Sequence, residues 1–233
     1  MYIMKKILSL TCLLLSAYAL QAQLKVYTDI VTGKSGLKDA TGKVIVKNIY
    51  DALVFKDDMI AVNLGGKADR PGTVYGGLWG LMDSTGKKLT DIVYEKIGTF
   101  YSGLVAVQKN GKWGFMNKAG KLVVPARYDE VASFSEGLAK IVVNGEAGYV
   151  NQSGAEVIKP QFTFADFFSQ GLAAVSMEGG DDAKAKYGYI DKKGNVVISY
   201  QFSSATYFEK DGTARVKKDG IAYRIDKTGK EVK

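Results

Sequence analysis

The sequence predicts an all-β protein built from tandem antiparallel β-meanders of about 34 residues each. Three observations support this class: a glycine-centred segment recurs along the chain, short β-branched runs alternate with turn residues, and aromatic residues recur at fixed positions. We expect an open, twisted, solenoid-like array, because such arrays extend by adding copies. A closed β-propeller of five or six blades is the alternative, since three or four short strands can also form a blade.

The recurring segment places an aromatic or small residue before a glycine and Asp or Asn three residues after it. It occupies residues 35–39, 79–83, 113–117, 147–151 and 187–191, with a degenerate copy at 222–226. The glycines are spaced by 44, 34, 34 and 40 residues. We assign structural roles to this set, which comprises Gly36, Trp79, Gly80, Trp113, Gly114, Gly148 and Gly188.

Two kinds of turn signal recur along the chain. Asn110-Gly111 and Asn144-Gly145 are typical of two-residue hairpin turns, in which both central residues need positive φ. The second signal is an Asx residue three positions before a glycine, which predicts a type I turn closed by a left-handed glycine. The pairs are Asp39–Gly42, Asp83–Gly86, Asn117–Gly120, Asn151–Gly154, Asp191–Gly194 and Asp226–Gly229. Asp and Asn alternate here without further oxygens, so we do not expect calcium sites.

Two sets of aromatic residues recur after the second hairpin strand. They are Tyr50, Tyr94, Tyr128, Phe162 and Phe202, and then Phe100, Phe134, Phe168 and Phe208. A unit of this size cannot enclose a core alone, so we expect these rings to be buried between neighbouring copies. The acids Asp51, Glu95 and Asp129 become Thr163 and Ser203 in later copies, which favours a turn or capping role over acid–base chemistry.

The copy around Trp113 resembles the WG repeat family of bacterial proteins. The resemblance rests on the runs 110–114, 125–129 and 134–139, namely Asn-Gly-Lys-Trp-Gly, Pro-Ala-Arg-Tyr-Asp and Phe-Ser-Glu-Gly-Leu-Ala. It extends from about residue 35 to the C-terminus and implies an all-β repeat array, often on exported proteins, with no general activity assigned. The expected copies are about 24–62, 77–107, 109–143, 144–176, 186–218 and a partial copy at 219–233, in one domain of residues 23–233.

The first 22 residues resemble a secretory signal peptide. Lys5 and Lys6 precede an apolar run from Ile7 to Leu15, which is too short to span a bilayer. Cleavage is expected after Ala19 or Ala22, which predicts a periplasmic or extracellular protein without a transmembrane segment in the mature chain. Lipid attachment at Cys12 is a weaker alternative.

The composition excludes several kinds of chemistry. The 233 residues contain no His and one Cys, so a Cys/His zinc site and a Ser-His-Asp system are ruled out. We therefore predict no catalytic residues, no metal and no cofactor. The net charge of +8 favours anionic envelope surfaces or sugars, but no concentrated basic stripe points to nucleic acid.

Two insertions interrupt the repeat where other copies have the Asn-Gly turn. Both insertions are polar and glycine-rich, so we predict mobile, solvated loops. Drift tolerated at a loop tip is the simpler interpretation. The alternative is a recognition rim, because insertions in repeat proteins often lie on a binding edge, and its six residues are the candidate binding residues. These are Lys67, Asp69, Arg70, Asp181, Asp182 and Lys184. The sequence favours an exported non-catalytic module that contacts an unknown protein or an envelope polysaccharide. A carbohydrate-binding module is the first alternative, and a carboxylate-dependent glycosidase is the second.

Overall fold

The computed structural model describes residues 24–70, 73–178 and 186–232; for residues 68–70 and 73 it describes the backbone alone. Within these ranges the chain forms 22 strands in six small antiparallel sheets of three or four strands, with no helix and no sheet closed into a barrel. The predicted all-β tandem fold is confirmed, while the choice between open array and closed propeller stays a prediction. No helix in the described part is long and apolar enough to cross a membrane.

The chain divides into two compact units. Unit 1 comprises the residues up to Phe100 together with Lys118–Lys121. Its strands are β1 (Lys25–Thr28), β2 (Ser35–Lys38), β3 (Val44–Tyr50), β4 (Ala52–Lys56), β5 (Met59–Arg70), β6 (Thr73–Asp83) and nearly all of β7 (Lys96–Tyr101).

Unit 2 comprises Tyr101–Asn117 and Leu122–Lys233. Its strands are β8 (Leu104–Lys109), β9 (Lys112–Asn117), β10 (Leu122–Tyr128), β11 (Glu130–Val131), β12 (Leu138–Val143), β13 (Glu146–Asn151), β14 (Glu156–Phe162), β15 (Phe164–Ala165), β16 (Leu172–Ser176), β17 (Tyr187–Asp191), β18 (Val196–Phe202), β19 (Ser204–Ala205), β20 (Ala214–Lys218), β21 (Ile221–Ile225) and β22 (Glu231–Val232).

Every sheet is a meander, in which strands that follow each other in sequence also pair in space. The sheets contain β1–β3, β4–β6, β7–β10, β11–β14, β15–β18 and β19–β22. The β12–β13 hairpin pairs Val143 with Glu146, so Asn144 and Gly145 alone form its loop. Their φ angles are 53° and 83°, which confirms the predicted turn with two left-handed residues.

The recurring aromatic residues are buried, as the repeat pattern predicts. Both sets are at most 7% exposed at every position. In unit 2 they pack between consecutive sheets: Tyr149 of β13 contacts Phe168, which follows β15, with ring centroids 4.7 Å apart. Phe115 with Phe134 and Tyr189 with Phe208 repeat this contact at 4.7 and 4.9 Å. The apolar core therefore lies between sheets.

The glycine of the recurring segment makes room for a bulge in the neighbouring edge strand. Along β13, Ala147 pairs with Phe162 and Tyr149 pairs with Ile158, so β14 inserts two extra residues between these pairs. A Cβ atom at Gly148 would lie 2.5 Å from the Pro160 nitrogen and 2.6 Å from the Ile158 oxygen. The same close approach of backbone occurs at Gly114 and Gly188. This finding supports the structural role assigned to these glycines.

A methyl group at Gly148 should therefore destabilise unit 2. We expect Gly148→Ala to lower the free energy of unfolding by about 2–3 kcal/mol, because the clash is with backbone atoms that cannot rotate away. Urea denaturation followed by circular dichroism measures this change. Gly145→Asn is the comparison: it meets no atom within 4 Å and therefore carries only the backbone cost of a side chain at left-handed φ, about 1 kcal/mol. Equal midpoints for the two variants would contradict the bulge explanation.

Candidate functional site

The side-chain oxygens of the Asx residues in the repeat accept hydrogen bonds from backbone N–H groups of their own turns. Oδ1 of Asp191 accepts the backbone N–H groups of Lys193 and Asn195, at 2.8 and 2.9 Å. Oδ1 of Asn151 accepts those of Ser153 and Ala155 in the same way. Glycines 42, 86, 154, 194 and 229 each donate an N–H to the Asx carbonyl at 2.9–3.0 Å and have φ of 85–88°. The predicted turn is confirmed at these five positions.

The recurring acids after the aromatic position hold the hairpin corner. Oδ2 of Asp129 accepts the N–H of Asn144 at 2.7 Å, and its Oδ1 accepts the ammonium group of Lys112. Where the repeat has Thr163, its hydroxyl donates instead to the carbonyl oxygens of Ser176 and Glu178 at 3.2 and 2.6 Å. Carboxylate and hydroxyl fill the same corner by different bonds, so the capping role is confirmed at these positions.

The first insertion is not the loop that its glycines suggest. Strands β5 and β6 are 12 and 11 residues long, compared with six in β12, and they stay paired from Met59–Asp83 to Arg70–Thr73. The prediction of a loop is wrong for the described residues of this insertion, and its mobility stays a prediction. Gly65, Gly76 and Gly77 have left-handed φ angles, and the ladder continues past them where the sequence suggested that it ends. We call residues 65–77 the arm.

A buried side chain lies at the base of the arm. Asn63 is fully buried, and its Nδ2 donates to the Gly76 oxygen at 3.2 Å. Its Oδ1 has no hydrogen-bond partner among the described residues. Cβ atoms at Gly66 and Gly77 would come within 2.3 and 2.8 Å of this oxygen, so both glycines make room for the amide.

The candidate binding residues of the insertions are only partly placed. Lys67 is exposed and pairs with Tyr75 across the arm. Asp69 and Arg70 lie in the last residues of β5, but their side chains are outside the described part. Asp181, Asp182 and Lys184 fall in the undescribed segment 179–185, and the signal segment with Cys12 falls in residues 1–23. The predicted binding set as a whole therefore stays a prediction.

Sequence reasoning missed one feature of unit 2, an exposed pair of rings. Phe167 and Tyr207 are 40% and 42% exposed, and their ring centroids lie 4.7 Å apart at an interplanar angle of 39°. We call them the aromatic pair. Each directly precedes a buried ring of the repeat, at positions where other copies have Thr99 and Ser133. The signal was present as two adjacent aromatic residues, 167–168 and 207–208, where the repeat requires one.

A half-buried carboxyl group adjoins the aromatic pair. Oδ1 of Asp166 accepts the N–H of Phe167 at 2.8 Å, and its Oδ2 has no partner in the described structure. Burial raises the pKa of Asp166 above its usual value, while the Phe167 N–H and the charge of Lys140 act in the opposite direction. The Asp166 carbonyl accepts the hydroxyl of Tyr149 at 2.5 Å, which fixes the backbone beside the pair. Burial also raises the pKa of that tyrosine.

Comparison with known families gives five tandem matches to the family described as "WG containing repeat", at residues 36–67, 79–113, 113–146, 148–180 and 187–220. These matches cover well over half of the chain. The chain belongs to the WG repeat family. Among the described residues of these WG repeats, no three Asp or Glu side chains are grouped closely enough to hold a metal ion.

Other comparisons are distant. No curated protein matches the sequence. A solved structure of a eukaryotic initiation factor is similar over 90% of this chain and 62% of its own, with 13% identity and a TM-score of 0.45. Hsv2p of Kluyveromyces lactis is similar over 83% of this chain and 68% of its own, with 11% identity and a TM-score of 0.42. The chain thus spans about 62% of the first of these structures, and these scores support no conclusion about its activity.

The Asx turns of the WG repeats should make stability depend on pH. Hydrogen bonds from the Asn195 side chain and from backbone N–H groups lower the pKa of Asp191 in the folded protein. The stability that its charge contributes is present above the unfolded pKa of about 4 and is lost as the pH falls through the lower folded value. We expect Asp191→Asn to lose less unfolding free energy than wild type between about pH 5 and about pH 2.

Urea denaturation across this range measures the difference. The reciprocal variant Asn151→Asp is the control, because it places a titratable group in the equivalent turn and should steepen the loss. Parallel curves for the wild-type protein and both variants would contradict this role of the turns.

Proposed function

We propose that this protein is an exported, non-catalytic WG repeat module that contacts a protein partner or the cell envelope. The observation that carries the proposal is the arm. Packing within the repeats explains the recurring residues, but it does not explain why β5 and β6 are longer than the equivalent strands of other copies. Repeat proteins commonly bind through extensions of a regular scaffold, because the scaffold fixes their position.

Strand pairing and one carboxylate hold the described residues of the arm. Cross-strand pairing runs along it, and its base is tied to the scaffold because Oδ2 of Asp51 accepts the Gly65 N–H at 2.8 Å. The other oxygen of Asp51 binds the ammonium group of Lys34 at 2.6 Å. An element that is already ordered loses less conformational entropy when it binds, so more of its contact energy appears as affinity.

The surface of the arm has the residue types of a protein interface. Tyr75 is 58% exposed and stands opposite the exposed Lys67, and Leu78 at its base is 41% exposed. Tyrosine is enriched where proteins bind one another, because it offers a large apolar ring together with a hydroxyl group. These side chains support a protein as the arm's partner.

Two further parts of the proposal rest on sequence and on turn chemistry. Export rests on the signal-like residues 1–22, with cleavage after Ala19 or Ala22. The absence of catalysis is supported by the recurring acids, because Asp51, Asp129 and Asp191 direct their oxygens to backbone N–H groups and lysines of their own hairpins. Acids bound in this way are poor candidates for proton transfer.

The arm should be dispensable for folding and required for the interaction. The other copies suggest a matched variant in which residues 65–77 are replaced by Asn-Gly, so that the paired residues Leu64 and Leu78 flank a two-residue turn. We expect this short-arm variant to unfold at nearly the wild-type temperature and to lose its partner.

A photo-cross-linking residue at Tyr75, in cells that express the full chain, identifies the partner. The same residue at Ile30, which is 99% exposed in unit 1, is the control and should yield no such adduct. The short-arm variant should then fail to co-purify the identified partner. Identical adducts from both positions, or co-purification by the short-arm variant, would show that the arm is not the contact.

Cell fractionation and N-terminal sequencing of the product test export separately, with residue 20 or 23 expected as the new terminus.

A further inference from the structure

The aromatic pair of unit 2 is not required by the repeat. The neighbouring residues Phe168 and Phe208 fill the spaces between sheets, and both are fully buried. At the positions of the pair, other copies fold with Thr99 and Ser133. Two large rings left some two-fifths exposed and in contact with each other therefore form a local apolar surface for which the packing gives no reason.

The backbone under the pair is held by the same bonds in both copies. The hydroxyl of Tyr149 donates to the Asp166 carbonyl at 2.5 Å, and that of Tyr189 donates to the Thr206 carbonyl at 2.9 Å. Each bonded residue directly precedes one ring of the pair. The two rings are thus carried by fixed positions of consecutive repeats, which gives them a defined spacing before any ligand binds.

A carboxyl group precedes one ring of the pair along the chain. The Oδ2 atom of Asp166 accepts no hydrogen bond from the described residues, although this side chain is half-buried beside Phe167. Lys140 acts on it electrostatically from the preceding sheet. A partly desolvated carboxylate oxygen is a strong acceptor for O–H donors, because the surrounding dielectric constant is lower than that of water.

We propose that Phe167, Tyr207 and Asp166 form a binding site for pyranose rings of a neutral polysaccharide. A pyranose ring has an apolar face of C–H groups and a rim of hydroxyl groups, so it can lie on an aromatic ring while a hydroxyl donates to the carboxylate. The carboxylate of Asp166, which accepts the Phe167 N–H, supplies an acceptor for such a hydroxyl next to one ring of the pair. The proposal rests on the proposed envelope function for access to such a polymer, and it names a second surface in a different unit from the arm.

The binding test uses purified protein from cells that express the full chain, with three neutral insoluble polysaccharides, chitin, cellulose and β-1,3-glucan, as probes at about pH 7. We expect at least one of the three to retain the wild-type protein. Phe167→Ser with Tyr207→Thr, residue types that other copies carry at these positions, should weaken retention by at least about tenfold. Asp166→Asn should weaken it less, since the amide keeps an oxygen but loses the charge. Added salt should change retention little, because stacking is not screened.

Tyr101→Ser is the matched control, because this ring is 60% exposed in the same repeat array but lies outside the aromatic pair. It should bind the probe like wild type, and thermal unfolding of all variants confirms that they fold. Failure of all three probes to retain the protein would overturn the proposal, as would unchanged retention of the Phe167/Tyr207 variant. Loss of the arm's cross-linked protein on changing the pair, with sugar retention intact, would assign the pair to a protein instead. The short-arm variant should keep sugar retention, so the two proposals fail independently.

Discussion

The structure of unit 2 depends on one repeated contact, in which a ring on the face of one sheet meets a ring from the segment that follows the next short strand. Tyr149 with Phe168 is the central example, and its centroid distance of 4.7 Å recurs within 0.2 Å in the copies before and after it. Meanders of two- to seven-residue strands bury too little surface to be stable alone. Packing ring against ring between sheets supplies the missing core, so each sheet depends on its neighbour.

This contact explains why the repeat needs its glycine. Ile158 and Phe162 of one edge strand both face the core, and the two-residue bulge between them places them opposite Tyr149 and Ala147, which are only two residues apart on β13. The bulge brings the β14 backbone against β13, where only a residue without Cβ fits. The family matches begin at this segment, at residues 113 and 148, whereas the sheets of β11–β14 and β15–β18 begin at 130 and 164. One sequence repeat therefore contributes strands to two sheets. The sheets whose rings pack against each other are thus also joined by the covalent chain of a single repeat.

Sequence alone predicted what depends on local chemistry. Asn144-Gly145 and the Asx–Gly pairs fix their turns within four residues, and the spacing of Tyr128 and Phe134 identifies the buried seam. The arm was missed because glycine is typical of loops, and nothing local shows that two strands stay paired past Gly65, Gly76 and Gly77. The aromatic pair was missed for a different reason. In the sequence, Phe167 beside Phe168 resembles one more core residue, and only the structure shows which of the two rings faces solvent.

The last sheet shows what happens when the ring position changes its chemistry. Arg224 occupies in β21 the place that Tyr149 and Tyr189 have in β13 and β17. Its guanidinium donates to the Thr213 hydroxyl at 2.8 Å and pairs with Glu209 and Asp211 at 3.0 and 3.1 Å. The opposite residue across the ladder is Arg215, where β16 has the buried Ala174. Burying the two positive charges of Arg215 and Arg224 under another apolar sheet face would cost too much free energy, so this face of the last sheet stays in contact with solvent. One position in the repeat thus decides whether a sheet face accepts an aromatic neighbour or stays hydrated.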